Sequence, residues 1–445
     1  NSGHSSSASL RSPGSNLTLG PQSTYQRHTR LDMDYLFALT ERLNRDPAIQ
    51  CHLYYRPNSS LYRTAGRLRY AEARLDGKVR TYHLVAVEEN EYLLATLDRA
   101  QNGATPGELA AAISATDPEI ALAEAEAYIA ELIASQLLVP ELAPTVTGRE
   151  PIHELIDILN REPATQAIAQ PLIKVRTALA HLDEDGLGNA ADCYQAIAER
   201  LRSLPAPVEL ARLFQVDMIK PTPNATLGSA VISELMRGVA LLQRITPPQP
   251  DPLQQFRERF VQRYESREVP LMEVLDEESG IGFRVGDSAE HAPLLNGLNF
   301  PATPGETTTA WGARQAWLLR KLAVVWRQGD PSLVLTDRDL AVLANSDLRP
   351  LPASFAVMAT VAAASQAALA RGEFQLYLEN AGGPSGARLL GRFCHGDPRL
   401  HQAVEQYLAA EAMHEPDAVF AEIVHLPEGR IGNVLCRPVL RQYEI

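Results

Sequence analysis

Two features of this 445-residue chain combine residue types and spacing that could do chemistry. The first is Asp217 in LFQVDMIKPT, a carboxylate between apolar residues at the end of a strand-like run, just before a proline-rich break. A carboxylate so placed is either buried or poised at a cleft edge, where burial and nearby charge tune its proton affinity. Capping a helix or shaping a turn is the structural alternative. The second feature is the run from Arg56 to Arg80. It sets Arg56, Arg63, Arg67, Arg69, Arg74, Lys78 and Arg80 against only Glu72 and Asp76, with Tyr54, Tyr55, Tyr62, Tyr70 and Tyr82 interleaved. In a chain of net charge -13, that patch is either a solvated sheet face or a local surface for a phosphate backbone or an acidic peptide.

Other motifs fail on their spacing. GIGFRVG (280–286) has the wrong glycine spacing for a dinucleotide loop. NAGGPSGARLLG (380–391) lacks the Lys-Ser/Thr ending of a nucleotide loop and reads as a turn entering a strand. HELID (153–157) has no second histidine four residues on, and no GxSxG is present. His395 and His401 stand alone and read as solvated surface histidines. Cys51, Cys193, Cys394 and Cys436 are far apart, with no CxxC pair, which points away from a zinc site or a disulfide scaffold and toward a reducing cytoplasm. No apolar run reaches the roughly 18 residues that a membrane span needs.

The elements that must position these residues follow from periodicity. Proline-rich breaks fall at 141–151, 203–207, 220–224 and 245–252, and 286–309 reads as a long loop. Helical spacing marks 315–326 and 354–370; strand-like runs recur at 374–379, 387–393 and 421–426. The mixture indicates an α+β fold of several packed layers of helices and sheets. Around the basic run, Asp76-Gly77 signals a two-residue hairpin turn, which opposes Leu75 to Lys78, Tyr70 to His83 and Leu68 to Val85. Leu68, Tyr70, Val79, Val85 and Val87 then share the core face, and Arg67, Arg69, Arg80, Tyr82 and Leu84 the other. SLYR (60–63) is placed to pair with the first arm. Helices follow at 90–101, from the capping box at Thr105-Pro106-Gly107-Glu108, and from Asp117-Pro118 with the stripe Leu122, Ala125, Ile129, Leu132, Ile133 and Gln136. Three strands and three helices in this order have the shape of a small winged-helix unit.

Eight phrases occur in a fixed order: TRLDMDYL (29–36), YYRPNSSLYRTAGRLRY (54–70), TLDRAQNGAT (96–105), LLVPELAPTVTGREPI (137–152), QVDM (215–218), RYESREVPLMEVLDEESGIGF (263–283), GGPSGARLLGRF (382–393) and AEIVHLPEGRIGNVLCRPVLRQYEI (421–445). As a collinear set they closely resemble the N-terminal, glutamylating domain of lantibiotic (class I lanthipeptide) dehydratases, from Tyr25 to the last residue.

The resemblance implies a reaction and its partners. Such enzymes move glutamate from glutamyl-tRNA, a co-substrate with no further cofactor or metal, onto Ser and Thr hydroxyls of a ribosomally made precursor peptide. A separate domain then eliminates glutamate to leave dehydroamino acids. A cyclase or a separate elimination protein is an implied partner, and the setting is cytoplasmic. In the phrase matched by QVDM the family has a functionally needed acid, here Asp217. The resemblance also implies a winged-helix leader-peptide recognition element at 54–143, which gains the leader as an extra strand along Val79–Val87. Tyr82, Leu84, Ile129, Ile133 and Leu137 are then the candidate peptide pocket, and Arg67, Arg69 and Arg80 the candidate contacts for tRNA or acidic leader residues. The expected division is a flexible lead-in and incomplete N-terminal part at 1–53, the recognition element at 54–143, and a partial glutamylation domain at 144–445. Relatives carry an arginine-rich segment upstream of Tyr25 and continue beyond RQYEI, so a portion of the enzyme is expected here. The alternatives are a branch that attaches an amino acid to a peptide from aminoacyl-tRNA without elimination, and a non-catalytic leader-binding scaffold.

Overall fold

The computed structural model describes residues 14–445 apart from 65, 77–78, 248–251, 284–310, 330–331, 345–349, 384 and 426–429. The loop expected at 286–309, and Gly77 and Lys78 of the hairpin turn, therefore lie outside the described residues. The chain forms two compact units, one of residues 1–228, 353–357 and 382–445, the other of 229–352 and 358–381.

In chain order the first unit has β1 (Asn16–Thr18), β2 (Gln26–Leu31), α1 (Met33–Asn44), β3 (Tyr55–Pro57), β4 (Tyr62–Thr64), β5 (Arg67–Asp76) and β6 (Val79–Glu88). It continues with α2 (Glu91–Arg99), α3 (Pro106–Thr116), α4 (Leu122–Ala134), β7 (Leu138–Pro140), α5 (Pro151–Arg161), α6 (Gln166–Glu184), α7 (Ala191–Leu201), β8 (Phe214–Ile219) and β9 (Asn224–Thr226). The second unit contains α8 (Ser229–Ile245), α9 (Pro252–Tyr264), α10 (Ala313–Gln328) and α11 (Asp337–Leu343), and β10 (Ala356–Ala362) pairs with β11 (Gln375–Gly382). The first unit closes with α12 (Pro398–His414), β12 (Ala421–Glu422) and β13 (Tyr443–Glu444). This is the mixed α+β architecture expected, built from small sheets.

The sheets of the first unit are β1–β9, β2–β8, β3–β7 and the three-stranded β4–β5–β6, all antiparallel, with β12–β13 parallel. In the hairpin Leu75 opposes Arg80, Tyr70 opposes Val85 and Leu68 opposes Val87, two residues away from the expected register. A shift of two preserves the side-chain alternation, so the faces stand: Leu68 and Tyr70 are buried, and Val85 and Val87 pack against the same core.

Leu31, Met33, Leu36, Leu39 and Leu43 join one core with Leu68, Tyr70, Leu109, Ile129, Leu155 and Leu172, so this stretch of the expected lead-in and incomplete N-terminal part packs with the segments that follow. The third helix of the expected trio starts at Leu122, not Asp117, because Asp117 ends α3: its N–H donates to Ile113 O. The run 354–370, expected to be helical, is the strand β10 followed by a short helix at Gln366–Ala370, since Val357, Thr360 and Val361 suit a strand with a partner in β11. Residues 387–393, expected as a strand, form turns and a short 3-10 helix at Gly391–Phe393.

Beyond β4, the free edge of β5 is closed by side chains. Ser60 Oγ accepts from Ala71 N at 2.9 Å, Asn58 Nδ2 donates to Ala71 O at 3.3 Å, and Gln136 holds both backbone groups of Ala73, at 2.9 and 2.8 Å. Gln136 does this from a left-handed backbone, φ 60°. Replacing it by alanine keeps the backbone demand and removes only the two hydrogen bonds. We expect Gln136→Ala to lower unfolding free energy by about 1–3 kcal/mol in urea melts, with faster amide exchange at Ala73.

Candidate active site

The β2–β8 ladder has two different faces. On one, Arg27 and Thr29 fasten the strand to α6: Asp183 accepts from Arg27 Nε at 3.1 Å, from Thr29 N at 2.7 Å and from Thr29 Oγ1 at 2.6 Å. On the other, His28 and Arg30 alternate along β2, and Asp217 on β8 lies directly opposite His28. Cross-strand neighbours of this kind have Cβ atoms about 5 Å apart.

Over that second face fold three distant pieces of chain. Arg392 Nη2 donates to Asp217 Oδ1 at 2.9 Å, and Arg30 Nη2 lies 3.7 Å from Asp217 Oδ2 while donating to Asn433 O at 2.8 Å. Glu150, at the start of α5, accepts from His28 Nε2 at 2.5 Å. His395 Nε2 donates to Gly148 O at 2.9 Å. Gly396 lets this turn close: a Cβ there would stand 2.8 Å from His28 Cβ. Asp217 is 9% exposed, so its carboxylate is largely out of water and is held by two cations.

Glu150 holds the His28 imidazole above its ordinary 6.5, chiefly through the hydrogen bond, against burial and the charge of Arg30. Burial is the largest influence on Glu150 and works to raise it, but the His28 hydrogen bond and the charges of His28, His395 and Arg30 overcome this and leave it low. Burial pushes His395 down and pushes the Cys436 thiol up to about 11, so Cys436 stays a neutral thiol at ordinary pH. Arg30 Nε and Nη1, Asp217 Oδ2, Arg392 Nε and His395 Nδ1 are buried without a hydrogen-bond partner among the described residues. A face with two arginines, a histidine and spare polar atoms can orient an anionic or ester group and move a proton. Among the described residues no cluster could hold a metal ion.

Of the candidate site residues expected from sequence, Asp217 lies in this cluster and the others do not. Arg67 is exposed, Arg69 is buried at 7%, and Arg80 is half-buried with its guanidinium 5.8 Å from the Phe37 ring, so the three do not share one open patch. Tyr82 and Leu84 are exposed at 45% and 49%, and the Tyr82 ring lies 6.1 Å from that of His425. Ile129 and Leu137 are core residues at 1% and 3%. Ile133 is half-buried and lines a cavity of about 530 Å³ with Phe37, Tyr55 and Arg80. His395, expected as a solvated surface residue, is half-buried on Gly148 instead. His28, Arg30, Glu150 and Arg392 were not singled out. The one local signal is the run of polar residues in QRHTRL, which holds His28 and Arg30; Glu150 and Arg392 lie outside it.

The His28–Glu150 pair makes stability depend on pH. His28 is raised on folding, so its contribution is complete below 6.5 and fades as pH climbs through the folded value. Glu150 is lowered, so its contribution is complete above 4.5 and fades as pH falls through the folded value. Glu150→Gln should therefore cost about 1.5–3 kcal/mol, with the largest drop in Tm between pH 4.5 and 6.5 and a smaller one at pH 9. Thermal melts across pH check this.

The comparisons with known proteins agree along the whole chain. It is 22% identical over 438 residues to the subtilin biosynthesis protein SpaB of Bacillus subtilis, covering 95% of this chain and 40% of that protein. The crystal structure of the tRNA dependent lantibiotic dehydratase MibB from Microbispora sp. 107891 aligns with 96% of this chain and 41% of its own, at TM-score 0.70 and 23% identity, a likeness of fold. The chain thus spans about two-fifths of the length of these relatives. Residues 2–445 match the family described as lantibiotic dehydratase, N terminus, and the chain belongs to that family.

Proposed function

We propose that this chain is a glutamyl-transfer module, moving glutamate from glutamyl-tRNA to Ser and Thr hydroxyls of a precursor peptide ahead of glutamate elimination. The carrying observation is Asp217, nine-tenths buried and gripped by Arg392 and Arg30 on one face of the β2–β8 ladder. The aminoacyl ester is already activated, so the site has to orient it, balance the charge on its carbonyl oxygen and move one proton. Arg30 and Arg392 supply the cationic groups, and Asp217 fixes both and offers a carboxylate to a substrate ammonium. Membership in the dehydratase N-terminal family supports this reading, as does the tRNA dependence stated for MibB.

The leader of the precursor joins β6. The edge of β5 is closed by Asn58, Ser60 and Gln136, whereas the outer edge of β6 has no paired strand among the described residues. Main-chain hydrogen bonds along such an edge give affinity with little demand on sequence. Exposed Tyr82 and Leu84 and half-buried Ile133 are the side chains of the candidate set open to contact; Ile129 and Leu137 act from the core beneath. Arg67 is the exposed cation nearest the start of the hairpin.

Asp217→Asn should cut glutamylation of a leader-bearing Ser/Thr peptide by glutamyl-tRNA at least tenfold, measured by peptide mass, while leader affinity stays within twofold. An equally active variant removes Asp217 from the site, and a wild-type chain that binds leader without glutamylating it favours the scaffold reading. In the same preparations, amide exchange at residues 79–88 should slow on leader binding; no added protection there excludes strand addition.

A further inference from the structure

We propose that His28, oriented by Glu150, is the proton-transfer residue of the site around Asp217. This rests on the glutamyl-transfer reading and names the group that handles its proton. His28 lies opposite Asp217 on the ladder, so a substrate anchored on that carboxylate and its arginines is within reach of the imidazole. Glu150 accepts from Nε2 at 2.5 Å, which fixes the neutral ring with its proton on Nε2 and leaves Nδ1 as the acceptor. The carboxylate then steadies the imidazolium once a proton arrives, the logic by which an acid orients a catalytic histidine. The His28 side chain is 23% exposed, against 5% for Arg30 and 10% for Asp217, so it is the most open of the three. Gly396 adds that the 395–396 turn is fitted against this one ring.

The step balances without a further reactant. The Ser or Thr hydroxyl oxygen forms a bond to the glutamyl carbonyl carbon, and the hydroxyl proton passes to His28 Nδ1. As the tetrahedral adduct collapses, the bond from that carbon to the ribose oxygen breaks. His28 returns the proton to the ribose oxygen, leaving a free tRNA hydroxyl and a glutamyl ester on the peptide. Arg30 and Arg392 face the developing oxyanion from β2 and from the 391–393 turn.

The charged and titratable groups around His28 set where this operates. Glu150 from the start of α5 raises it, Asp183 from α6 adds in the same direction, and Arg30 from its own strand opposes them. Asp217 stands across the ladder and His395 on the covering turn. The imidazole is therefore protonated, and unable to accept, up to a pH above 6.5. Transfer should rise with pH through a single group in that range.

The test is single-turnover glutamylation of a leader-bearing Ser/Thr peptide by radiolabelled glutamyl-tRNA, from pH 5.5 to 9, with titration of the histidine rings by NMR in the same chain. His28→Gln keeps an amide donor for Glu150. It should lower the transfer rate about 100-fold or more, leave peptide KM within threefold, and abolish the acid limb. Glu150→Gln should keep the limb but move it to lower pH, together with the His28 ring midpoint in NMR. A His28→Gln protein that transfers at the wild-type rate, or that slows while keeping the limb, shows the pair to be a strut and overturns the proposal. So does a His28 midpoint that does not fall in Glu150→Gln. A wild-type chain with no transfer at any pH, still binding leader, overturns the glutamyl-transfer reading and this inference with it.

Discussion

Everything at the candidate site depends on the antiparallel pairing of β2 with β8, from Gln26↔Ile219 to Leu31↔Phe214. This contact joins segments far apart in sequence, so its loop-closure cost has to be met by what the two faces hold. The inner fastening is Asp183 of α6, which takes three hydrogen bonds from Arg27 and Thr29. At the end of β2, Asp32 is fully buried; it caps α1 through Asp34 N and accepts from Asn433 Nδ2 at 2.9 Å. Asn433 Oδ1 in turn accepts from Met33 N at 2.9 Å. The C-terminal turn is thus bonded to the first helix and, through Asn433 O, to Arg30. That strand is the common anchor of α6, α1 and the C-terminal turn, and its free face is where the ionisable side chains gather.

Such a gathering is costly for folding. Removing several charges from water is repaid only where each finds partners, and an apolar row would have packed with less loss. The inner face meets that condition, since Asp183 is fully used. The outer face does not: Arg30, Arg392 and Asp217 each retain a buried polar atom with no hydrogen-bond partner among the described residues. A local departure from complete polar pairing beside a well-paired face is what a site for a polar substrate requires. The Glu411 cluster shows the contrast. Its carboxylate accepts from Ser354, Ser385, Gly386 N and Arg441, so it serves to hold the 385–387 turn that leads to Arg392.

What the sequence made legible was local. The faces of the hairpin followed from a period of two and survived a register shift, because shifting the pairing by two residues leaves the alternation unchanged. The capping box at Thr105 was readable because all its atoms lie within four residues. The helical reading of 354–370 failed because an alanine-rich apolar run fits both periods, and the choice is made by a partner, β11, that no local pattern names. Asp217 was legible as a carboxylate out of place among apolar neighbours. His28 and His395 were not, because a histidine acquires its role from partners: Glu150 stands 122 residues from His28, and Gly148 stands 247 from His395. The family resemblance implied a reaction, while the pairing of these groups came only with the fold.

The β6 end of the three-stranded sheet and the polar face share one mechanical element, α1. The helix starts at the Asp32 cap, adjacent to Arg30, and buries Leu36, Leu39 and Leu43 in the core that also holds Leu68, Tyr70 and Ile129. Five residues past the cap, about 7–8 Å along the axis, Phe37 lies under the Arg80 guanidinium near the start of β6. A close-packed core transmits displacement rather than absorbing it. A displacement of β6 therefore acts on a sheet whose base contacts the same rigid helix that leads from the end of β2. Gln136, Ser60 and Asn58 hold the 71–73 edge of β5, while the outer edge of β6 has no paired strand among the described residues. The same helix thus ties the base of the three-stranded sheet to the end of the β2–β8 ladder.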